Sequence, residues 1–182
     1  MQIHFDPRGP AEAATLDLSL PGTVISAHKK GRRYRAVDAA IDAAGRQGAL
    51  IRTRVAGHKD AFAALRLDAA VLAMRGRELE SREPIDYRTG DLRGEVPFLI
   101  AILDLDWGAD GQKRGKLHRE VENLWDLARA ANAHILISTP SPPTTIPVRF
   151  LRGGMIHLTD AADPEFRDYC TLHAQLTLRA AG

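Results

Sequence analysis

The chain has one cysteine in 182 residues, Cys170. A lone thiol makes neither an internal disulfide nor a thiolate metal site, so a reducing, cytoplasmic setting is expected. No apolar run approaches the roughly 20 residues of a membrane span. The opening MQIHFDPRGP lacks the charged-then-apolar layout of a signal peptide, so no membrane partner is expected. Aromatic residues are scarce, at 5%, and Tyr34 alone sits among basic residues where a base would stack. Neither sign of charge dominates: 25 Lys and Arg stand against 23 Asp and Glu. Local clustering therefore says more about a partner than net charge does. With 45% hydrophobic and 26% charged residues, a globular fold with a real core is expected. There is no internal repeat and no low-complexity tract.

Residues 1–22, rich in Pro and Gly, read as an arm or edge strand, and residues 23–182 as one domain. Thr23–Ala27 reads as a strand, followed by the basic stretch His28-Lys29-Lys30-Gly31-Arg32-Arg33. A helix follows with Val37, Ala40, Ile41 and Ala44 on one face and Gly45 as its stop. Ala49-Leu50-Ile51 starts a second strand. His58–Arg75 reads as a helix with Phe62, Leu65, Ala69 and Leu72 facing the core, and residues 76–97 as a long polar excursion. Phe98–Leu103 reads as a buried strand that ends in Asp104 and Asp106. A helix carrying Leu117, Val121, Leu124 and Ala128 leads to a strand over His134–Ser138. Pro140-Ser141-Pro142-Pro143 is a stiff loop. Met155–Leu158 and the alternating Cys170–Leu178 read as the strands of a C-terminal antiparallel hairpin. The expected class is therefore α/β, a mainly parallel sheet flanked by helices.

Two clusters carry candidate chemistry. Lys29, Lys30, Gly31, Arg32, Arg33 and Arg35 lie at a strand-to-helix junction, where free N–H groups and a helix N-terminus meet phosphates. A complete phosphate loop reads GxxxxGK[ST]. The window Ser26–Arg33 keeps only its second glycine, Gly31. Either it is a solvated basic loop, or it contacts phosphate or nucleic acid, which would relieve the crowding of like charges. Asp104 and Asp106 are the candidate metal-binding or catalytic pair. As alternate strand residues they would share a face and hold a divalent cation. In the other reading, one caps the turn and one is solvated. Cys170 falls on an apolar strand face, and Trp107 and Trp125 read as packing residues.

The layout resembles a RecA-like P-loop NTPase core. TVISAHKKGRRYRAVDAAIDAAGRQGALIRT is similar to its first strand, phosphate loop, helix and second strand. FLIAILDLDWG and REVENLWDLARAANAHILIST are similar to its Walker B strand, the next helix and the fourth strand. MIHLTDAADPEFRDYCTLHAQLTL is similar to its terminal hairpin. The resemblance puts Asp104 at the Walker B position. It also exposes departures: Arg32 and Arg33 replace the Lys-Ser/Thr pair, and Arg52-Thr53-Arg54 offers no carboxylate to polarise water. Such losses remove most transition-state stabilisation in phosphoryl transfer. The resemblance thus implies a degenerate member that hydrolyses ATP poorly or not at all and holds Mg and ATP weakly or not at all. Its role would be accessory, binding nucleic acid or a protein partner in DNA repair, recombination or replication.

Two alternatives remain open. A Mg-dependent nuclease of the PD-(D/E)xK type would use Pro84-Ile85-Asp86 and Asp104-Leu105-Asp106; Asp106 stands at its lysine position, and Lys113 or Lys116 could substitute only if the loop folds back. An assembly module would form a homo-oligomer and have no catalytic site.

Overall fold

The computed structural model describes residues 2–6, 14–82, 96–108 and 112–158. Two short strands, β1 (Gln2–Phe5) and β2 (Ala14–Asp17), pair antiparallel as a ribbon. They alternate outward polar and inward apolar residues, and Ile3, Phe5 and Leu16 are buried. The remaining strands are β3 (Gly22–Ser26), β4 (Leu50–Val55), β5 (Phe98–Leu103), β6 (Ala133–Thr139) and β7 (Met155–His157). They form one sheet in the order β4-β5-β6-β3-β7, with every pairing parallel. The helices are α1 (Lys30–Arg46), α2 (Ala61–Arg82), α3 (Gln112–Ala128) and the short α4 (Val148–Leu151). The expected α/β class is the one observed. β7 itself joins β3 in parallel, whereas Cys170 and the rest of the expected hairpin's second strand lie outside the described residues.

The central strands β3, β5 and β6 are buried at every residue, as continuous apolar runs covered on both faces should be. One face packs Ile25, Leu99, Ala101, Leu103 and Leu136 against α1 and the β1–β2 ribbon. Alanines Ala36, Ala40, Ala43 and Ala44 let α1 lie close to the sheet. The other face packs Val24, Ile100, Ile102, Ile135 and Ile137 against α2 and α3. There Trp125 meets Phe150 edge-on at 4.8 Å between ring centroids. A Cβ on Gly22 would run into the Ile135 carbonyl and the Trp125 ring, and one on Gly153 would meet the Gly22 carbonyl and the same ring. The indole thus requires two glycines.

Several boundaries differ from expectation. α1 begins at Lys30, so Lys30, Gly31, Arg32, Arg33 and Arg35 belong to its first turns and not to a loop. Lys and Arg are good helix formers, and three residues suffice to link β3 to the helix. α1 passes Gly45 and stops at Arg46, where Gly48 at φ 83° turns the chain. α2 runs on to Arg82, taking up the first part of the expected polar excursion. Gly76 is tolerated inside it beside Ala130, and Arg77, Glu78 and Glu80 favour helix. Phe62 points outward and is exposed, while Ala61, Leu65, Ala69 and Leu72 form the buried stripe. After β6, the proline-rich loop contains a 3-10 turn at Pro143–Thr145.

Candidate functional site

Parallel α/β sheets gather ligands at the carboxyl ends of their strands. Here those ends bring together the link 27–29, the first turns of α1, Asp104 to Gly108, and Ser141. The link is anchored by the Ala27 N–H, which donates to the Thr139 carbonyl at 3.2 Å.

Arg33 occupies the centre. Its side chain is only 4% exposed. Nη1 donates to the carbonyls of Ala27 at 2.6 Å and His28 at 3.0 Å. Nη2 donates to Asp104 Oδ1 at 2.8 Å. A phosphate-cradling loop directs N–H groups inward, whereas this link directs two carbonyls at a guanidinium. The geometry is that of an internal cation site filled by the chain's own side chain. Nε of Arg33 and the hydroxyl of Ser138 are both buried with no hydrogen-bond partner.

Asp104 is held from α1. Oδ2 accepts from the Tyr34 hydroxyl at 2.8 Å, and Lys30 Nζ lies 3.3 Å from the same oxygen. Burial pushes this carboxyl up, but the donors Arg33, Tyr34 and Lys30 together outweigh it, and the group sits below the ordinary carboxylate value. The same contacts raise Lys30. For Tyr34, burial is the main upward effect, and the Asp104 carboxylate adds to it. α1 has no acidic residue in its first turn and no side-chain cap, so its positive end and its basic residues lack local compensation. Asp104 supplies it from across the sheet.

Asp106 does not join this cluster. The expectation of two carboxylates on one strand face fails because β5 ends at Leu103 and Asp104 adopts φ 57°. That left-handed residue breaks the alternation that would have aligned them. Asp106 Oδ1 accepts from the Gly108 N–H at 2.9 Å and the Ser141 hydroxyl at 3.0 Å. The Trp107 N–H donates to Ser141 Oγ, and Ser26 Oγ donates to the Ser141 carbonyl. His118 Nε2 donates to the Asp106 carbonyl at 3.1 Å. Ser141 thus ties the ends of β3, β5 and β6, a role its sequence context did not signal. Trp107 packs against Phe150, in keeping with the packing role read for it. Among the described residues no group of three or more His, Cys, Asp or Glu could hold a metal ion.

The remaining candidates are spread over the surface of α1. Lys29, Lys30, Gly31 and Arg35 are exposed and Arg32 is half-buried, and Arg35 Nε donates back to the Gly31 carbonyl at 3.2 Å. Arg52 and Arg54 do not face the Asp104 cluster. They converge from β4 on Asp68, a fully buried carboxylate of α2, at 2.7–2.8 Å. No sequence motif flagged Asp68; its clue was its place in the Leu65–Leu72 core stripe. Pro84, Ile85 and Asp86 lie outside the described residues, as does the side chain of Lys113. Lys116 is exposed on α3.

No described helix is long and apolar enough to cross a membrane. Neither a protein-family model nor a curated protein matches the chain. Among solved structures it is similar to the pCW3 conjugation coupling protein TcpA, in its monomer form with ATPγS. The TM-score is 0.58 at 14% identity, over 88% of this chain and 55% of that one. A DNA replication initiation factor gives a TM-score of 0.46 at 13% identity, over 76% and 41% of the two chains. DnaA from Aquifex aeolicus bound to AMPPCP gives 0.44 at 16% identity, over 81% and 42%. The first likeness shows an α/β fold shared with that protein, and the chain spans about half its length.

Proposed function

We propose that this chain is an accessory protein of DNA metabolism, built on a P-loop NTPase fold whose phosphate loop is degenerate. It binds nucleic acid or a protein partner and does not turn over ATP at ordinary rates. One observation carries the reading: the buried Arg33 guanidinium lies between the Ala27 and His28 carbonyls and Asp104.

The residues present do not fit a magnesium–nucleotide complex. The carboxylate at the Walker B position has both oxygens engaged by Arg33, Tyr34 and Lys30. The link presents carbonyl oxygens where phosphate oxygens would need N–H donors. Releasing Arg33 to admit the ligand would strip the guanidinium of its partners, at a cost of several kcal/mol. Lys29, Lys30 and Arg35 remain on the exposed end of α1, and they suit a polyanion that stays outside. TcpA is a conjugation coupling protein, which agrees with a role around DNA.

The test is titration of the full chain with a fluorescent ATP analogue and Mg, together with a turnover assay. Weak or no binding and no turnover are expected. Stoichiometric binding with steady hydrolysis that Asp104→Asn abolishes would overturn the reading.

A further inference from the structure

Helix α2 carries a second apolar face that no other described element covers. Its inner stripe, with Leu65, Ala69 and Leu72, is buried against the sheet and α3. On the other side Leu67 is 61% and Met74 66% exposed, with Ala63 and Ala70 exposed between and beside them. The positions 63, 67, 70 and 74 follow the four-three-four spacing of a helix–helix seam. A helix that is apolar on two sides is suited to being covered on two sides.

We propose that this face is a contact between two copies of the chain, with α2 packed antiparallel on α2 about a two-fold axis between Leu67 and Ala70. A two-fold contact must be complementary to itself, and this stripe is so in one register. There Leu67 meets Ala70 of the second copy and Ala63 meets Met74, so each large side chain faces a small one. One step further out, Asp60 meets Arg77, and symmetry repeats every pair. Asp60 is 69% exposed and lies 3.7 Å from His58 on open surface, which leaves its carboxylate accessible. Arg77 is exposed. A parallel, in-register alignment would set Asp60 against Asp60, Arg77 against Arg77 and Leu67 against Leu67. The match of size and charge under antiparallel reversal is what selects a second copy over an unrelated helix, which would not need it. The face lies on the α2–α3 side of the sheet, away from α1 and its basic residues. A single helix pair buries less than a standard interface, so the dimer is weak and concentration-dependent.

Sedimentation equilibrium of the full chain over a concentration series tests this. A reversible monomer–dimer equilibrium is expected, and Leu67→Glu abolishes it. Asp60→Arg alone and Arg77→Glu alone each weaken it roughly tenfold, because two exposed pairs become like-charged. The double variant carrying both changes restores the wild-type constant. Unchanged urea midpoints for these surface variants show that the monomer still folds. A chain that stays monomeric throughout, a dimer indifferent to Leu67→Glu, or a charge swap that fails to restore association each overturns the proposal.

Discussion

Arg33 on α1 and Asp104 after β5 form a partly buried ion pair, with Nη2 and Oδ1 2.8 Å apart. It joins the first turns of α1 to the carboxyl end of β5. The guanidinium also bonds two link carbonyls, and the carboxylate also bonds Tyr34. Removing Asp104 leaves a buried guanidinium without a carboxylate, and removing Arg33 leaves Asp104 only Tyr34 and the exposed Lys30.

Arg33→Met is therefore expected to destabilise the fold by about 3 kcal/mol and Asp104→Asn by about 2–3 kcal/mol. The double variant should lose clearly less than the sum, with coupling of at least about 1 kcal/mol. Urea unfolding of the three variants measures this, and additive losses would show that the pair is not the organising contact. Because the folded carboxyl of Asp104 is depressed, its contribution is present above the unfolded value. It is lost as pH falls through the still lower folded value.

His134 makes a second pH-dependent contribution, in a higher window. It is buried on β6, with Nδ1 3.0 Å from the Leu20 carbonyl and Nε2 3.1 Å from the Thr23 hydroxyl. A carbonyl only accepts, so Nδ1 carries the proton and Nε2 receives the hydroxyl's. Burial pushes the ring down to about 4, against the smaller pull of the Leu20 carbonyl and Asp17. The unfolded chain then binds the extra proton first. Stability is full above about pH 6.5 and falls by about 3 kcal/mol as pH drops toward 4. His134→Gln should flatten that part of the pH–stability curve, and an unchanged slope would contradict this account.

Three of the described glycines give contrasting expectations. Gly22→Ala and Gly153→Ala each force a methyl into backbone and the Trp125 ring, and should cost about 3 kcal/mol or more. Gly31 is helical and open, with nothing within 4 Å of an added Cβ. Gly31→Ala should raise stability by about 0.5–1 kcal/mol. A large loss there would mean that Gly31 has the close-approach role of a phosphate-loop glycine. Thermal or urea midpoints decide.

For the exposed end of α1, the variant to make is Lys29, Lys30, Arg32 and Arg35 changed together to Ala, with the structural Arg33 left in place. Single-stranded DNA binding should weaken at every sequence, and the slope of log affinity against log salt should fall by roughly 2–3. Equal salt slopes for wild type and variant would place any DNA contact elsewhere.

The strands and the two sheet faces were legible because apolar runs such as Phe98–Leu103 and His134–Ser138 have no soluble alternative to burial. The order of helix and strand followed from period alone. Boundaries were less legible where charged residues form good helix: Lys30–Arg35 and Arg77–Arg82 look like loop by polarity but are helical by propensity. Within the candidate site, the sequence marked the basic run Lys29–Arg35 and Asp104 separately, and Arg33 and Lys30 of that run meet Asp104. It did not reveal that Arg33 would be buried, nor that Asp106 would turn away to Ser141.

Local chemistry by itself determined the α/β alternation, the apolar sheet and the absence of the Lys-Ser/Thr pair from the window Ser26–Arg33. Each of these is a property of neighbouring residues. Only the tertiary structure decided which charges meet. Arg33 and Asp104 are 71 residues apart in the chain, as are Tyr34 and Asp104 by one fewer. β6 lies between their strands, and a left-handed turn at Asp104 aims the carboxylate. Pairing across such distances depends on strand order and backbone direction, which no local pattern encodes.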